Sequence, residues 1–180
     1  MSENDAGETA IYRVMINAPI ETVWSTLVKT DEVLPFFFGA VCRTRDGLRT
    51  GAPMAMRTKD DKFTSVVGKV LEFDPPRRYA HTMKFTNIDE APVTVIYDLK
   101  EIDGGVEFSL TTKGALPASK MSKTMAQGGP FIVNTLKAVA EKGRPGFGAA
   151  MMLAMMGLMA PMTPKVCRTE NWSFETIEKL

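Results

Sequence analysis

A succession of short strand-like segments, separated by turn residues and followed by one long helical segment, leaves few folds open to this chain. Six such segments are predicted to be strands: residues 40–44, 54–57, 64–73, 78–85, 93–100 and 106–113. Asp103, Gly104 and Gly105 separate the last two, and these residue types supply the positive φ angles of a tight hairpin. The sequence therefore predicts an antiparallel meander.

Two kinds of element precede the meander. Residues 10–17 alternate between two faces and are predicted to form a first strand. Pro19 suits the first turn of a helix, where its missing N–H has no helical partner. The apolar residues that follow recur at helical spacing and form one stripe: Ile20, Val23, Trp24 and Leu27. A second short helix is predicted at residues 30–35.

The long helix is predicted at residues 128–143. Pro130 is placed in its first turn, and Gly143 is a typical C-terminal stop. Because a sheet must cover one face and an amphipathic helix is the available cover, we predict an α+β helix-grip fold. In it, a curved antiparallel sheet of six or seven strands surrounds the long C-terminal helix. A sheet bent in this way is expected to leave an apolar ligand cavity.

The chain is expected to divide into three parts. Residues 1–10 form a disordered N-terminus, residues 11–143 form the helix-grip ligand-binding domain, and residues 144–180 form a methionine-rich helical extension. A chain of 180 residues is long enough for one core. The extension is expected to pack on the domain or on a dimer partner.

Composition narrows the classes of function. Lys and Arg number 22 and Asp and Glu number 21, so nucleic acid is not an expected partner. Cys42 and Cys167 lie in neither zinc nor redox spacing, and no motif for a metal or cofactor occurs. The acidic N-terminus does not resemble a signal sequence, so a cytoplasmic location is expected.

A methionine-rich segment at residues 147–162 holds six of the 13 methionines. It is too short and too interrupted by glycine for a membrane span, which needs about 20 apolar residues. We expect it to be helical and buried, as a lid over the cavity or as a dimer seam, and we lean to the lid. The remaining alternative is that the segment docks on a membrane or on a client protein. The membrane is disfavoured because no Lys or Arg lies between Arg144 and Lys165 to contact anionic headgroups.

Three segments carry a resemblance to a known family: GKVLEFDPPRRYAHTMKF, APIETVWSTL and GGPFIVNTLKAVAEKG. The first, with its strand, Asp-Pro-Pro turn and strand, resembles the heat shock protein 90 ATPase activator-like family of the START-like polyketide cyclase/dehydrase superfamily. The likeness covers residues 11–143. It implies the helix-grip fold and a cavity, in proteins that bind or process hydrophobic molecules or act on a chaperone. Gly128 and Gly129 depart from the family, where an aromatic residue often precedes the proline.

Ten residues are candidates to line the cavity: Trp24, Glu72, Tyr79, His81, Met83, Phe85, Val95, Tyr97, Leu99 and Leu136. His81 is the only histidine, and strand alternation places it on the apolar face, where it would orient a ligand or be a satisfied core residue. Glu72 would point inward by the same alternation, or lie at the rim paired with Arg77 or Arg78. Tyr97 would pack its ring and orient a ligand through its hydroxyl.

These features predict that the protein binds a hydrophobic small molecule in an internal cavity, without a defined reaction, cofactor or metal. An alternative is a cyclase- or dehydratase-like enzyme in which His81 or Glu72 moves a proton. A second alternative is a chaperone-ATPase co-regulator that acts through an outer surface. A homodimer is a further possible assembly.

Overall fold

The computed structural model describes residues 7–180 and shows an eight-stranded antiparallel sheet with a long helix against it. The strands are β1 (Glu8–Ile16), β2 (Val33–Leu34), β3 (Ala40–Thr44), β4 (Pro53–Arg57), β5 (Thr64–Asp74), β6 (Arg78–Phe85), β7 (Val93–Ile102) and β8 (Gly105–Ala115). The helices are α1 (Ile20–Leu27), α2 (Lys120–Lys142), α3 (Phe147–Met159) and α4 (Phe174–Ile177). The predicted α+β helix-grip fold is confirmed.

The sheet follows the order β1-β8-β7-β6-β5-β4-β3-β2 and curls into a half-barrel. Seven neighbouring pairs are antiparallel, and the predicted hairpin between β7 and β8 closes with Ile102 opposite Gly105. The sheet has eight strands instead of the six or seven expected, because the pair Val33 and Leu34 adds an edge strand. The first strand pairs with the last predicted one, so β1 lies beside β8.

The N-terminal boundary differs from the expectation. Strand β1 begins at Glu8, where it pairs with Ala115 of β8, so residues 8–10 are ordered. The disordered N-terminus was expected at residues 1–10. Residues 1–6 of that segment lie outside the described residues.

The second short helix predicted at residues 30–35 is wrong. Val33 and Leu34 pair with β3, and a single 3-10 turn, Pro35–Phe37, follows. The chain then reverses, because Phe38 and Gly39 both adopt positive φ angles and the Gly39 N–H donates to the Leu34 carbonyl at 3.0 Å. Local reversal and strand pairing satisfy the backbone groups that a helix would have used.

Helix α2 begins eight residues before the predicted start, so the placement of Pro130 in its first turn is wrong. Ser119 caps the helix, its hydroxyl accepting from the Ser122 N–H at 3.0 Å. The Glu90 carboxylate accepts from two further N–H groups at 3.0 Å each, those of Lys120 and Met121. These partners satisfy donors that are otherwise orphaned at a helix start. Pro130 lies inside the helix.

Gly129 explains why this helix carries glycine in its interior. A Cβ at Gly129 would lie 2.3 Å from the Tyr12 ring on β1, so a larger residue would force helix and strand apart. The buried side of α2 packs into one cluster with the inner face of the sheet and with α1. Its buried residues are Met121, Met125, Gly129, Ile132, Val133, Thr135 and Leu136.

The C-terminal extension has two parts. The predicted helix is confirmed as α3 with a 3-10 turn, Ala160–Met162, but none of its residues is buried within the chain. The last residues pack on the outer face of the sheet, where Ile177 contacts Ala55 and Val67, with Trp172 and Phe174 beside them. Within residues 7–180 no helix by itself has the length and apolarity to cross a bilayer, and only α2 and α3 together, across a bend of 115°, reach both limits.

Candidate functional site

Strands β6 and β7 place most of the candidate residues on the inner face of the sheet. Tyr79 pairs with Tyr97, and His81 pairs with Val95. Because side chains alternate along a strand, the next inward position on β6 is Met83. All of these side chains are buried. Tyr79, Tyr97, Val95 and Met83 belong to the cluster that α2 covers. His81 contacts the same cluster through its packing on the Tyr79 ring. Leu99, Trp24 and Leu136 join the same cluster, as expected.

A chain of aromatic rings fills this interior. Tyr79 and Tyr97 stack with centroids 5.5 Å apart, and Tyr97 stacks on Phe108 at 6.0 Å. Phe73 meets Tyr79 edge-on at 5.8 Å and contacts Trp24 at 5.4 Å. Such offset and edge-on pairs add stability beyond the area that they bury. The rings therefore form a continuous apolar surface from β8 to α1.

His81 lies against this surface with one ring nitrogen satisfied and one free. Its Nδ1 lies 2.8 Å from the Thr82 carbonyl, which can only accept, so Nδ1 carries the proton and Nε2 is an acceptor. Nε2 is buried and has no hydrogen-bond partner among the described residues. Burial lowers the pKa of His81 to about 4, against a smaller raising effect of the Thr82 carbonyl. His81 is therefore neutral near pH 7.

Tyr79 contributes a second free polar atom. Its hydroxyl is buried without a partner among residues 7–180, and the Tyr79 and His81 rings lie 5.1 Å apart. Burial raises the pKa of Tyr79 well above its usual value, with smaller effects of Cys42 and Tyr97. The phenol is therefore a neutral donor. Native proteins leave few buried polar groups unpaired, so two in contacting rings require an explanation.

Cys42 is a residue that sequence analysis did not connect with the site. Its thiol is buried on β3, and burial raises its pKa to about 12, with a further contribution from Asp31. Cys42 also raises the pKa of Tyr97, after the larger effect of burial. Strand alternation was the signal in the sequence that could have placed Cys42 on the inner face, because its neighbour Arg43 faces outward. The thiol is protonated near pH 7 and therefore inert as a nucleophile.

Glu72 does not lie in this interior. A bulge between Val70 and Glu72 shifts the register of β5 against β6, so alternation no longer holds there. The Glu72 carboxylate instead accepts from Arg78 at 2.7 Å at the half-exposed rim. The inward orientation is wrong, and the rim alternative is confirmed. Phe85 is half-buried at the far end of β6, where it packs against the same cluster.

The interior is filled by side chains. The two best-formed depressions in the described surface both lie elsewhere. One of about 390 Å³ is open and lies at the turns around Pro19 and Gly104. The other, of about 130 Å³, lies outside the sheet between Lys69, Thr82 and Ile177. Neither is the expected cavity, and most of the candidate lining residues instead pack against one another in the buried cluster.

Methionines form an adaptable part of the buried interior. Five of them are buried in the cluster: Met54, Met56, Met83, Met121 and Met125. Methionine is unbranched and polarisable, so it fills irregular spaces and changes conformation at low cost. The methionines are therefore the part of this core that repacks most easily, beside the more numerous Val, Ile and Leu side chains.

The comparison that decides the family is a match of residues 17–141 to the model of the Activator of Hsp90 ATPase homolog 1-like protein family. The chain belongs to this family. The match runs from the end of β1 to the last turn of α2, so it contains all ten candidate residues and excludes α3. Comparison with curated proteins found no similar sequence.

Solved structures share the fold of this family member. CalU16 from Micromonospora echinospora has a TM-score of 0.62 and 18% identity, over 87% of this chain and 88% of that chain. DynU16, a protein of the dynemicin biosynthetic locus, has a TM-score of 0.60 and 19% identity, over 76% and 48%. The Aha1 dimer from Colwellia psychrerythraea has a TM-score of 0.59 and 15% identity, over 76% and 98%. At these identities the likeness shows the fold.

No group of three or more His, Cys, Asp or Glu side chains that could hold an ion occurs within residues 7–180. The polar groups that the interior offers include the neutral imidazole, the phenols and the Cys42 thiol, beside the apolar surface.

Proposed function

We propose that this protein binds a hydrophobic small molecule that carries one hydrogen-bonding group, in the interior between the sheet and α2. The observation that carries the proposal is the pair of unpartnered buried atoms, His81 Nε2 and Tyr79 Oη. A hydroxyl group on the ligand donates to Nε2 and accepts from Oη, so both atoms are satisfied at once. The surrounding rings bind the apolar part of the ligand.

The filled interior is compatible with ligand binding because some of the side chains that fill it can change conformation at low cost. The methionines of the cluster repack to admit the ligand, so the binding-competent form is a minor state that the ligand selects. Phe38 stacks on Phe131 of α2 at 4.6 Å, and both rings are only half-buried, so this contact is the natural place for the interior to open. Phe38 also has the positive φ of 55°, a conformation unusual for a bulky residue and common at ligand clamps.

We assign no reaction to the site. A histidine with a pKa of about 4 is a weak base near neutral pH, and no acid or base partner contacts its free nitrogen among the described residues. Glu72, the other candidate for proton transfer, is at the rim. The family's polyketide cyclase-like neighbours support a ligand-binding fold.

The test compares two probes of the same shape, 2-naphthol and 2-methylnaphthalene, by titration calorimetry. Replacing His81 or Tyr79 by phenylalanine removes a hydrogen bond that only the hydroxyl probe makes. The preference for 2-naphthol is expected to fall about fivefold in either variant, since a buried hydrogen bond contributes about 1 kcal/mol.

Tyr12→Phe is the matched control, because Tyr12 also packs on α2 but its hydroxyl is not one of the unpartnered buried atoms, and its probe preference is expected to be unchanged. If both probes bind the wild-type protein and the preference is the same in all variants, the polar recognition is wrong. If neither probe binds at its solubility limit, binding of aromatic molecules in this interior is wrong.

A second candidate function follows from family membership, which favours regulation of a chaperone ATPase through an outer surface. Its test is the ATP hydrolysis rate of a purified Hsp90-type chaperone with and without this protein. A stimulation that survives in His81→Phe favours this candidate, because the outer surface is unchanged by a buried substitution.

A further inference from the structure

Helix α3 and its 3-10 turn expose an unusually large apolar surface. Seven large side chains are between 44% and 86% exposed: Phe147, Met151, Met155, Met156, Leu158, Met159 and Met162. Taking on the order of 200 Å² for a fully exposed large side chain, this surface is about 900 Å². Monomeric proteins rarely expose contiguous patches of more than a few hundred Å². The segment carries no charged residue from 147 to 162.

One side of the helix already rests on the body of the protein. Ala149, Met152 and Leu153 are its half-buried residues, and Leu153 lies against Gly39 after the first 3-10 turn. The opposite side faces solvent and is equally apolar. A helix that is apolar all round needs a partner on both sides.

The open side has the spacing of a helix-pairing seam. Phe147, Met151, Ala154 and Leu158 are separated by four, three and four residues, which is the a/d pattern of paired helices. Ala154 lies next to the midpoint of this row, where a small side chain lets two backbones approach. The spacing reads the same in both directions about a point between Met151 and Ala154, so the row suits pairing with an identical row that runs the opposite way.

We propose that α3 is a dimer seam, in which the row Phe147, Met151, Ala154 and Leu158 packs antiparallel on the same row of a second copy. The large side chains on the open side, Phe147, Met151, Met155, Leu158 and Met162, expose about 700 Å² by the same measure, close to the roughly 800 Å² that one partner contributes to a standard interface. Pairing of identical uncharged rows also needs no charge complementarity, which this segment does not offer.

The other occupants fit less well. A lid over the interior would bury its inner face, whereas no residue of α3 is buried. A membrane surface is normally met by Lys and Arg, and here the nearest are Arg144 and Lys165, outside the segment. A second copy is the occupant whose surface and chemistry are both present in the chain.

The first experiment measures the molar mass by sedimentation velocity at micromolar concentration. The wild-type chain is expected to be a dimer, and the Met151→Glu/Leu158→Glu variant a monomer with unchanged circular dichroism, because neither side chain is buried within the chain. Leu116→Glu is the matched control. Leu116 is 65% exposed in the loop before α2, so this variant is expected to remain a dimer.

The second experiment places the seam. Ala154→Cys is expected to give a disulfide-linked dimer with oxidised glutathione, because its two copies lie close together beside the two-fold axis, whereas Gly148→Cys on the side of the helix is not. Cys42 and Cys167 are buried and do not compete. A monomeric wild-type chain, or binding of the monomer to phosphatidylcholine vesicles, would overturn the proposal. Equal cross-linking at both positions would overturn the antiparallel register.

Discussion

Between pH 7 and pH 4 the free energy of unfolding of the wild-type protein is expected to fall by about 3 kcal/mol more than that of His81→Phe. The pKa of His81 is lowered from 6.5 to about 4 by burial. Below pH 6.5 the unfolded chain therefore binds a proton that the folded chain does not. Stability falls as the pH drops through this window and stops falling below about pH 4, where the folded state also binds the proton.

Urea unfolding at a series of pH values measures this difference. Carboxylates contribute to acid unfolding in both proteins, so only the difference between the two curves reports His81. Because it is the only histidine, no other imidazole titrates in this window. His81→Gln serves as a second variant with a smaller side chain. Parallel curves for the wild type and both variants would show that the histidine is not held neutral.

Gly68→Ala is expected to destabilise the fold by about 3 kcal/mol or more, at the upper end of the overpacking range. A Cβ at Gly68 would lie 1.8 Å from the Thr82 carbonyl oxygen, which is backbone and cannot move aside. That carbonyl is also the acceptor for His81 Nδ1. The substitution therefore both separates β5 from β6 and disturbs the hydrogen bond that fixes the imidazole.

Gly148→Ala is the control for this substitution. A Cβ at Gly148 would have nothing within 4 Å, so alanine there is expected to be neutral or to stabilise α3 by about 0.5 to 1 kcal/mol. Thermal unfolding followed by circular dichroism separates the two. Equal melting temperatures for Gly68→Ala and the wild type would mean that the approach of β6 to β5 is not close.

Much of the fold was predictable because the strands are short, alternating and separated by turn residues. Strands β3 and β6 have the predicted bounds, and the β7–β8 hairpin forms where Asp103 and two glycines indicate it. The start of α2 could not be predicted from the sequence, because Gly128, Gly129 and Pro130 have the local pattern of a helix start. A distant carboxylate, that of Glu90, supports the earlier start, and sequence periodicity does not contain that contact.

The site was predictable to the extent that alternation holds. It placed Tyr79, His81, Met83 and Tyr97 inward correctly, and it failed at Glu72 because a bulge adds one residue to β5. That the interior is filled depends on how rings and methionines from five strands and two helices pack together. Such packing is a property of three-dimensional contacts, so no pattern along the chain reports it.

The central claim is that the free nitrogen of His81 recognises a polar group of a bound hydrophobic molecule. Nitrogen-15 NMR of the single imidazole tests it directly, because Nδ1 and Nε2 give separate signals for one histidine. On saturation with 2-naphthol, the Nε2 signal is expected to move upfield as it accepts a hydrogen bond, while Nδ1 stays unchanged; 2-methylnaphthalene is expected to leave both in place. If 2-naphthol saturates the protein and the Nε2 signal does not move, the ligand lies elsewhere and the account is contradicted.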